Sequence, residues 1–310
     1  MAEYLAALDV GGTKTDAVLF TADGTVVRRS VTPGANPLDL GLDEAMRRYL
    51  TSIAALRGEE NTPIDTLYAG VAAAPYFGSR IEDLLRTQVS VGRMRVEADG
   101  PALISAMLGH ADGASLICGT GSSLTIRKSD SYDMIGGYGY LIDGCASGYI
   151  LGKRAILAAA RAYDGRSEKT LISDLVFARS GEQLLEHLPA LYAKGRPYIA
   201  SYAGVVFEAR KMGDRIAAQI FEECVNDLNE LVWTARRRLG GAYDLVLNGG
   251  IFRNFPEYVQ ALKALAPPDV QMIDSDAPPV FGCAVEAMWD TGCVCDTAFK
   301  KRFLETYSAL

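Results

Sequence analysis

The sequence predicts an α/β protein of two lobes, each built around a mixed sheet, and three observations predict it. The chain has 310 residues, long for one core and natural for two. Apolar residues make up 49% of it and charged residues 22%, which is ample for packed cores and argues against disorder. An apolar strand running into a small-residue turn and a second strand occurs near residue 4 and again near residue 114. The pattern is that of a structural duplication, carried by element type and not by sequence identity.

Residues 4–10 form a short apolar run ending in a glycine pair, suited to a buried strand that enters a tight turn. Residues 17–20 and 25–30 flank Asp23-Gly24, a hairpin signal. The chain therefore opens with antiparallel strands, unlike a doubly wound dinucleotide sheet, where a helix follows the first glycine turn. A loop over 32–37 leads to a helix over about 40–56, a strand at 67–72, a helix at 79–88 and a strand at 94–99 that ends on Asp99. A helix at 101–108 follows, with Pro101 close to its first turn. The second round begins with strands at 114–118 and 123–127. Helices are expected at 147–163, 167–177, 181–188 and 198–239, the last broken at Met212-Gly213-Asp214. A last strand at 243–247 precedes helices at 281–289 and 296–307.

Charge and cysteine usage exclude several classes of function. The net charge is −7, whereas nucleic-acid binding needs a concentrated basic face. The densest basic spot, Arg236-Arg237-Arg238, falls late in a helix, where it complements the helix dipole. No apolar run approaches the roughly 18 residues that span a bilayer. The N-terminus lacks the basic start of a signal peptide, so a cytosolic protein with reduced thiols is expected. The six cysteines form no Cys-x-x-Cys pair, and His110 and His187 have no thiol neighbours in sequence, so no structural zinc is expected.

Three glycine-containing segments carry the chemistry. Asp9-x-Gly11-Gly12-Thr13-Lys14 puts a carboxylate at a strand end beside glycines that allow close approach of backbone to phosphate. The turn's N–H groups and the Thr13 hydroxyl suit phosphate oxygens, Lys14 can add charge, and Asp9 can hold Mg2+ through water. A plain glycine hairpin with a solvated lysine would carry the same residues. Gly119-Thr120-Gly121-Ser122 offers the same equipment at the second strand–turn–strand unit. Two such turns can clamp a triphosphate from both sides. Gly249 and Gly250 end the last expected strand and, with Asn254 beyond them, can pack a purine against bare backbone.

In order and spacing these segments resemble the BadF/BadG/BcrA/BcrD-type ATPases, and in particular their N-acetylglucosamine kinase branch, over nearly the whole chain. Residues 9–16 look like that family's first phosphate loop, 119–123 its second and 245–254 its adenosine segment. Gly136-Gly137-Tyr138-Gly139 is similar to its Gly-Gly-Trp-Gly turn, and residues 196–202 through Gly213-Asp214 also match. The resemblance implies two ribonuclease-H-like lobes of the actin/hexokinase type around a nucleotide cleft. The expected lobes are residues 1–109, rejoined by a helix at 296–310, and residues 110–295. It implies ATP and Mg2+ as cofactors and a small sugar as partner, with no nucleic acid or membrane, and a homodimer is compatible with it.

Asp99, an aspartate before a small residue and a helix, matches the family's catalytic base, which would accept the proton of a sugar hydroxyl as the γ-phosphate transfers. Asp before Gly100-Pro101 is equally a common helix cap. Asn36 resembles the family's sugar-contacting asparagine, although Asn-Pro is also an ordinary turn. Gly137, Tyr138 and Asp143 fall in the segment that meets the sugar in relatives. There the family's Gly-Asp-Glu-Gly-Ser becomes Asp143-Gly144-Cys145-Ala146-Ser147, with cysteine at the glutamate position. That departure leaves the particular sugar open. Two alternatives stay open as well: an iron–sulfur activator ATPase, for which Cys145 would be a cluster ligand, and a non-catalytic ATP or sugar sensor. The activator needs a second cysteine in the region of residues 199–208, which has none. Sugar kinases of the repressor-related type share the Gly-Gly-Thr-Lys-Thr start, but typically bear a zinc-binding His/Cys cluster that this sequence lacks.

Overall fold

The structure, a computed structural model, describes residues 3–129, 131–144 and 146–310. Its contacts divide the chain into two compact units, residues 1–113 with 275–310, and residues 114–274.

In the first unit β1 (Tyr4–Val10) is buried except at Tyr4 and Asp9, as an inner strand covered on both faces must be. β2 (Lys14–Thr21) pairs with it antiparallel, and β3 (Val26–Pro33) pairs antiparallel with β2. Then come α1 (Pro37–Leu40), α2 (Leu42–Arg57), β4 (Ile64–Val71), α3 (Ala74–Gln88), β5 (Val91–Glu97) and α4 (Asp99–Leu108). β4 runs parallel to β1 and β5 parallel to β4, giving the order β3-β2-β1-β4-β5. Alternate residues of β1 and β2 feed two different cores. Ala6, Leu8 and Leu19 pack with Tyr49 and Ile53 of α2 and Ile81 of α3, while Leu5, Ala7, Val18 and Phe20 face the opposite way.

The second unit repeats this plan. β6 (Gly113–Cys118), β7 (Ser122–Lys128) and β8 (Ser131–Ile135) are followed by α5 (Gly148–Tyr163), α6 (Leu171–Ser180), α7 (Leu184–Ala200), α8 (Ala203–Lys211) and α9 (Arg215–Leu239). β9 (Tyr243–Asn248), α10 (Gly250–Asn254), α11 (Pro256–Leu265) and β10 (Val270–Asp274) complete it. The sheet order is β10-β9-β6-β7-β8, with β9 parallel to β6 and β10 parallel to β9. Read from the hairpin edge, the two orders, 3-2-1-4-5 and 8-7-6-9-10, are the same. The expected duplication is therefore present as topology.

α12 (Pro279–Asp290) and α13 (Thr297–Ser308) return to the first unit. α12, grouped by the sequence with the second lobe, packs on β1, β4 and α4, because Phe281, Ala284 and Met288 fill the core behind Leu5, Ala7 and Tyr68. Several expected elements need correction. Residues 243–247 are not the last strand, since β10 follows, and β8, α10 and α11 were not anticipated. The strand expected to end on Asp99 stops at Glu97, and Asp99 opens α4. The helix expected over 181–188 runs past Pro189 to a break at Gly195.

Candidate functional site

The sequence-derived residues fall into two clusters, one per unit, each at the carboxyl ends of parallel strands, where ligands of open α/β sheets bind. In the first unit Asp9 lies opposite Asp16 across the β1–β2 pair and beside Gly70 across the β1–β4 pair. The turn between β1 and β2 is closed by the Gly11 N–H donating to the Lys14 carbonyl at 3.0 Å. The Gly34 N–H donates to the Thr13 carbonyl at 3.0 Å and the Ala35 N–H to the Gly11 carbonyl at 3.1 Å. This approach requires glycine at 34, since a Cβ there would sit 2.2 Å from the Gly12 carbonyl oxygen. From below, the Tyr49 hydroxyl donates to the Ala35 carbonyl at 2.7 Å and the Arg48 guanidinium to that of Gly34 at 2.5 Å. Gly11 and Gly12 are half-buried, and Thr13 and Lys14 are exposed at the tip.

Asn36 adjoins this turn. It caps α1, its Oδ1 accepting the Leu38 N–H at 2.9 Å, with Pro37 at the first helical position. That is the turn role, and it leaves the amide NH2 as the group able to donate to a sugar hydroxyl. Lys14 reaches back, its Nζ 3.1 Å from Asp16. Asp16, which sequence reasoning passed over, is buried and also accepts from Arg29 at 3.1 Å and from the Tyr307 hydroxyl at 2.8 Å. Burial alone would raise its carboxyl, but the hydrogen bonds from Arg29, Tyr307 and Lys14 outweigh this and hold it below the usual carboxylate range.

Asp99 opens α4 and takes the backbone N–H groups of Asp99 and Gly100, so it serves the helix start from the first helical position while Ala98 is the cap. The residue keeps partial solvent access, yet burial of its carboxyl pushes the pKa up to about 6 against those two hydrogen bonds. Gly70 makes room for it: a Cβ at 70 would lie 3.0 Å from the Cys283 Sγ and 3.5 Å from the Asp99 Cα. The Cys283 thiol is pushed well up by burial, with the charges of Asp9, Glu286 and Asp99 adding to it. Asp9 and Asp99 therefore act on a common point. Arg95 ties this corner together, pairing with Glu97, Glu286 and Asp290 and lying over the Tyr68 ring.

In the second unit the β6–β7 turn is closed by the Gly119 N–H donating to the Gly121 carbonyl at 2.8 Å. The start of α5 packs directly on it, the Gly148 N–H donating to the Gly119 carbonyl at 2.8 Å and the Tyr149 N–H to that of Thr120 at 3.2 Å. Gly249 has φ 121° and could carry no Cβ, which would fall 2.2 Å from the Cys118 carbonyl oxygen. A Cβ on Gly119 would meet the Gly250 nitrogen at 3.9 Å, so Gly119 and the Gly249–Gly250 pair are neighbours. Asn254 ends α10 and is exposed. The Ser122 hydroxyl donates to the Gly144 carbonyl at 2.9 Å, joining the turn to the 136–144 segment. Within that segment Gly137 has φ 79° and backs onto Ser123, Tyr138 is exposed, and the Asp143 N–H donates to the Gly139 carbonyl at 2.8 Å. Cys145 lies outside the described residues.

Among the described residues no group of three or more His, Cys, Asp or Glu is arranged to hold a metal ion, and no helix is long and apolar enough to cross a membrane. Arg236 and Arg238 of the basic run pair with Asp269 at 2.7 Å and Asp133 at 2.6 Å.

The sequence matches the BadF/BadG/BcrA/BcrD ATPase family over residues 8–287. It is 28% identical over 239 residues to an N-acetylmuramic acid/N-acetylglucosamine kinase of Clostridium acetobutylicum, covering 73% of this chain and 77% of that protein. It is 24% identical over 286 residues to the glucosamine kinase GspK of Vibrio cholerae, covering 87% and 90%. The fold aligns with the crystal structure of a proposed N-acetylglucosamine kinase of Chromobacterium violaceum at a TM-score of 0.72 and 22% identity, over 91% of this chain and 98% of that one. That likeness identifies the shared two-unit fold.

Proposed function

The chain belongs to the BadF/BadG/BcrA/BcrD ATPase family, and from that premise we propose that it is an ATP-dependent kinase of an amino sugar of the N-acetylglucosamine or glucosamine type. The observation that carries the reading is Asp99, a carboxyl just beyond the carboxyl end of the parallel strand β5, with its pKa raised to about 6. At pH 7 it is ionised, yet basic enough to accept a hydroxyl proton. The relatives named as amino-sugar kinases supply the substrate class.

In the reaction the sugar oxygen loses its proton to Asp99 and bonds to the γ-phosphorus of ATP, while the bond from that phosphorus to the β-γ bridging oxygen breaks and ADP leaves. The Gly11–Thr13 and Gly119–Gly121 turns, whose Gly11 and Gly119 amides are taken up in closing them, bind phosphate oxygens through the residues that follow, and Gly249 and Gly250 present bare backbone to the adenosine. Asn36 donates from its amide to the sugar, and Gly137, Tyr138 and Asp143 meet its amino or acyl side. Mg2+ fits the hard oxygen donor at Asp9, whose neighbour Asp16 is already neutralised by Arg29 and Lys14. The ion would neutralise phosphate charge.

ADP release with glucosamine, N-acetylglucosamine, N-acetylmuramic acid and neutral hexoses tests the substrate class. An amino sugar should stimulate release, and ADP production that no sugar accelerates would sink the proposal. Asp99→Asn should lower phosphorylation by about 10²-fold or more while nucleotide affinity stays near wild type.

A further inference from the structure

Arg196 has no part in the scheme above, yet its placement is built. α7 breaks at Gly195, whose φ of 65° and ψ of −156° suit only a residue without a side chain, and Pro197 follows at once. The guanidinium beyond this break lies against the second glycine turn. A Cβ on Gly121 would sit 2.8 Å from the Arg196 Nη2, so the guanidinium occupies the space a side chain at 121 would need. The group also rests 5.4 Å over the Tyr140 ring, and Tyr140 packs edge-on to Tyr149 at 4.9 Å. Tyr149 belongs to the first turn of α5, the helix that bonds the same glycine turn.

The start of α5 would otherwise be the anion site at this turn, since free helix-start amides bind phosphate. Its first three amides are occupied: Gly148 and Tyr149 donate to the carbonyls of Gly119 and Thr120, and Ile150 donates to the Ser147 hydroxyl at 3.4 Å. Positive charge for a phosphate here must come from a side chain. Lys14, the cation of the first turn, reaches Asp16 instead. A guanidinium held on an aromatic face keeps its planar fork in one orientation, the geometry that matches two oxygens of a phosphate.

We propose that Arg196 is a phosphate-binding residue of the second turn, contacting the phosphate chain of ATP through its guanidinium fork. The proposal rests on the ATP-dependent reading and not on the choice of sugar. Calorimetric titration of wild type, Arg196→Gln and Arg196→Lys with AMPPNP and with adenosine tests it, after melting curves have established which variants fold. Arg196→Gln should weaken AMPPNP about tenfold or more and leave adenosine within about twofold. Arg196→Lys, which keeps the charge without the fork, should lose several-fold on AMPPNP alone. Wild-type AMPPNP affinity in either folded variant would overturn the assignment. So would equal losses on both ligands, which would make Arg196 a structural residue. Wild-type protein that binds neither nucleotide would overturn the ATP reading and Arg196's role with it, whereas nucleotide binding without sugar phosphorylation would count against the kinase reading alone.

Discussion

An aspartate raised from its ordinary 3.8 to about 6 is ionised at neutral pH against the preference of its surroundings. The folded state binds this proton more tightly than the unfolded chain does, so Asp99's contribution to stability is full below about pH 4 and declines as pH rises towards 6. At pH 7 the buried charge costs on the order of 3 kcal/mol. Asp99→Asn should therefore melt higher than wild type at pH 7.5, by more than it does at pH 4. A variant that melts lower than wild type at pH 7.5 would mean the carboxylate is stabilised there. Sugar phosphorylation should fall about tenfold per pH unit below 6 as the base is lost. Asp99 itself was legible in the sequence, because an aspartate before Gly-Pro at a strand-to-helix change is a local signal. Its environment was not: Gly70 and Cys283 come from β4 and α12, far away along the chain. Asp16 was overlooked for a similar reason, since its partners Arg29 and Tyr307 meet only once β3 and α13 are in place.

Elements follow the same division between local and remote causes. β1, β4 and β6 read clearly because they are apolar runs ended by glycine or small residues, and α9 because its capping Asp214 and final Gly240 bracket it. β8 and β10 were missed because both are edge strands, short and only partly buried, with polar residues on one or both faces. Their signal lay in the duplication. The first half showed five strands, and each of them should have had a counterpart in the second. Close backbone approaches were harder to see, since a glycine pair in sequence does not reveal which partner crowds it. Gly249 is the clearest case, with a left-handed φ of 121° and the Cys118 carbonyl filling the place of a side chain. Gly249→Ala should cost at least about 2 kcal/mol in chemical denaturation, from backbone strain and from displacement of β9 against β6. A loss below about 0.5 kcal/mol would mean that the turn relaxes freely, and would remove the argument that backbone shape is fixed at Gly249.

At the scale of the whole molecule, the chain leaves the first unit after α4, completes the second, and returns with α12 and α13. The first unit is thus closed by residues made last. α13 sets Phe299 and Phe303 edge-on against Phe20 of β2 at 6.2 and 5.9 Å, and its Thr306 hydroxyl accepts the Val26 N–H at 2.9 Å. Tyr307 completes the Asp16 cluster beside the β1–β2 turn. The second unit, continuous in sequence, draws its core from residues 114–272 alone. A substitution in α13 should therefore loosen one sheet and spare the other. Phe303 is fully buried, and Phe303→Ala should cost about 3–5 kcal/mol through lost burial and the cavity it leaves. Native-state hydrogen exchange reads where that loss falls. Amides of β1, β2 and β3 should exchange faster in the variant, while those of β6, β7 and β9 keep wild-type rates. Nucleotide affinity should fall with the loosening of the β1–β2 turn. Equal acceleration in both sheets would show that the units unfold as one, and the closing role assigned to α13 would then extend to the entire chain.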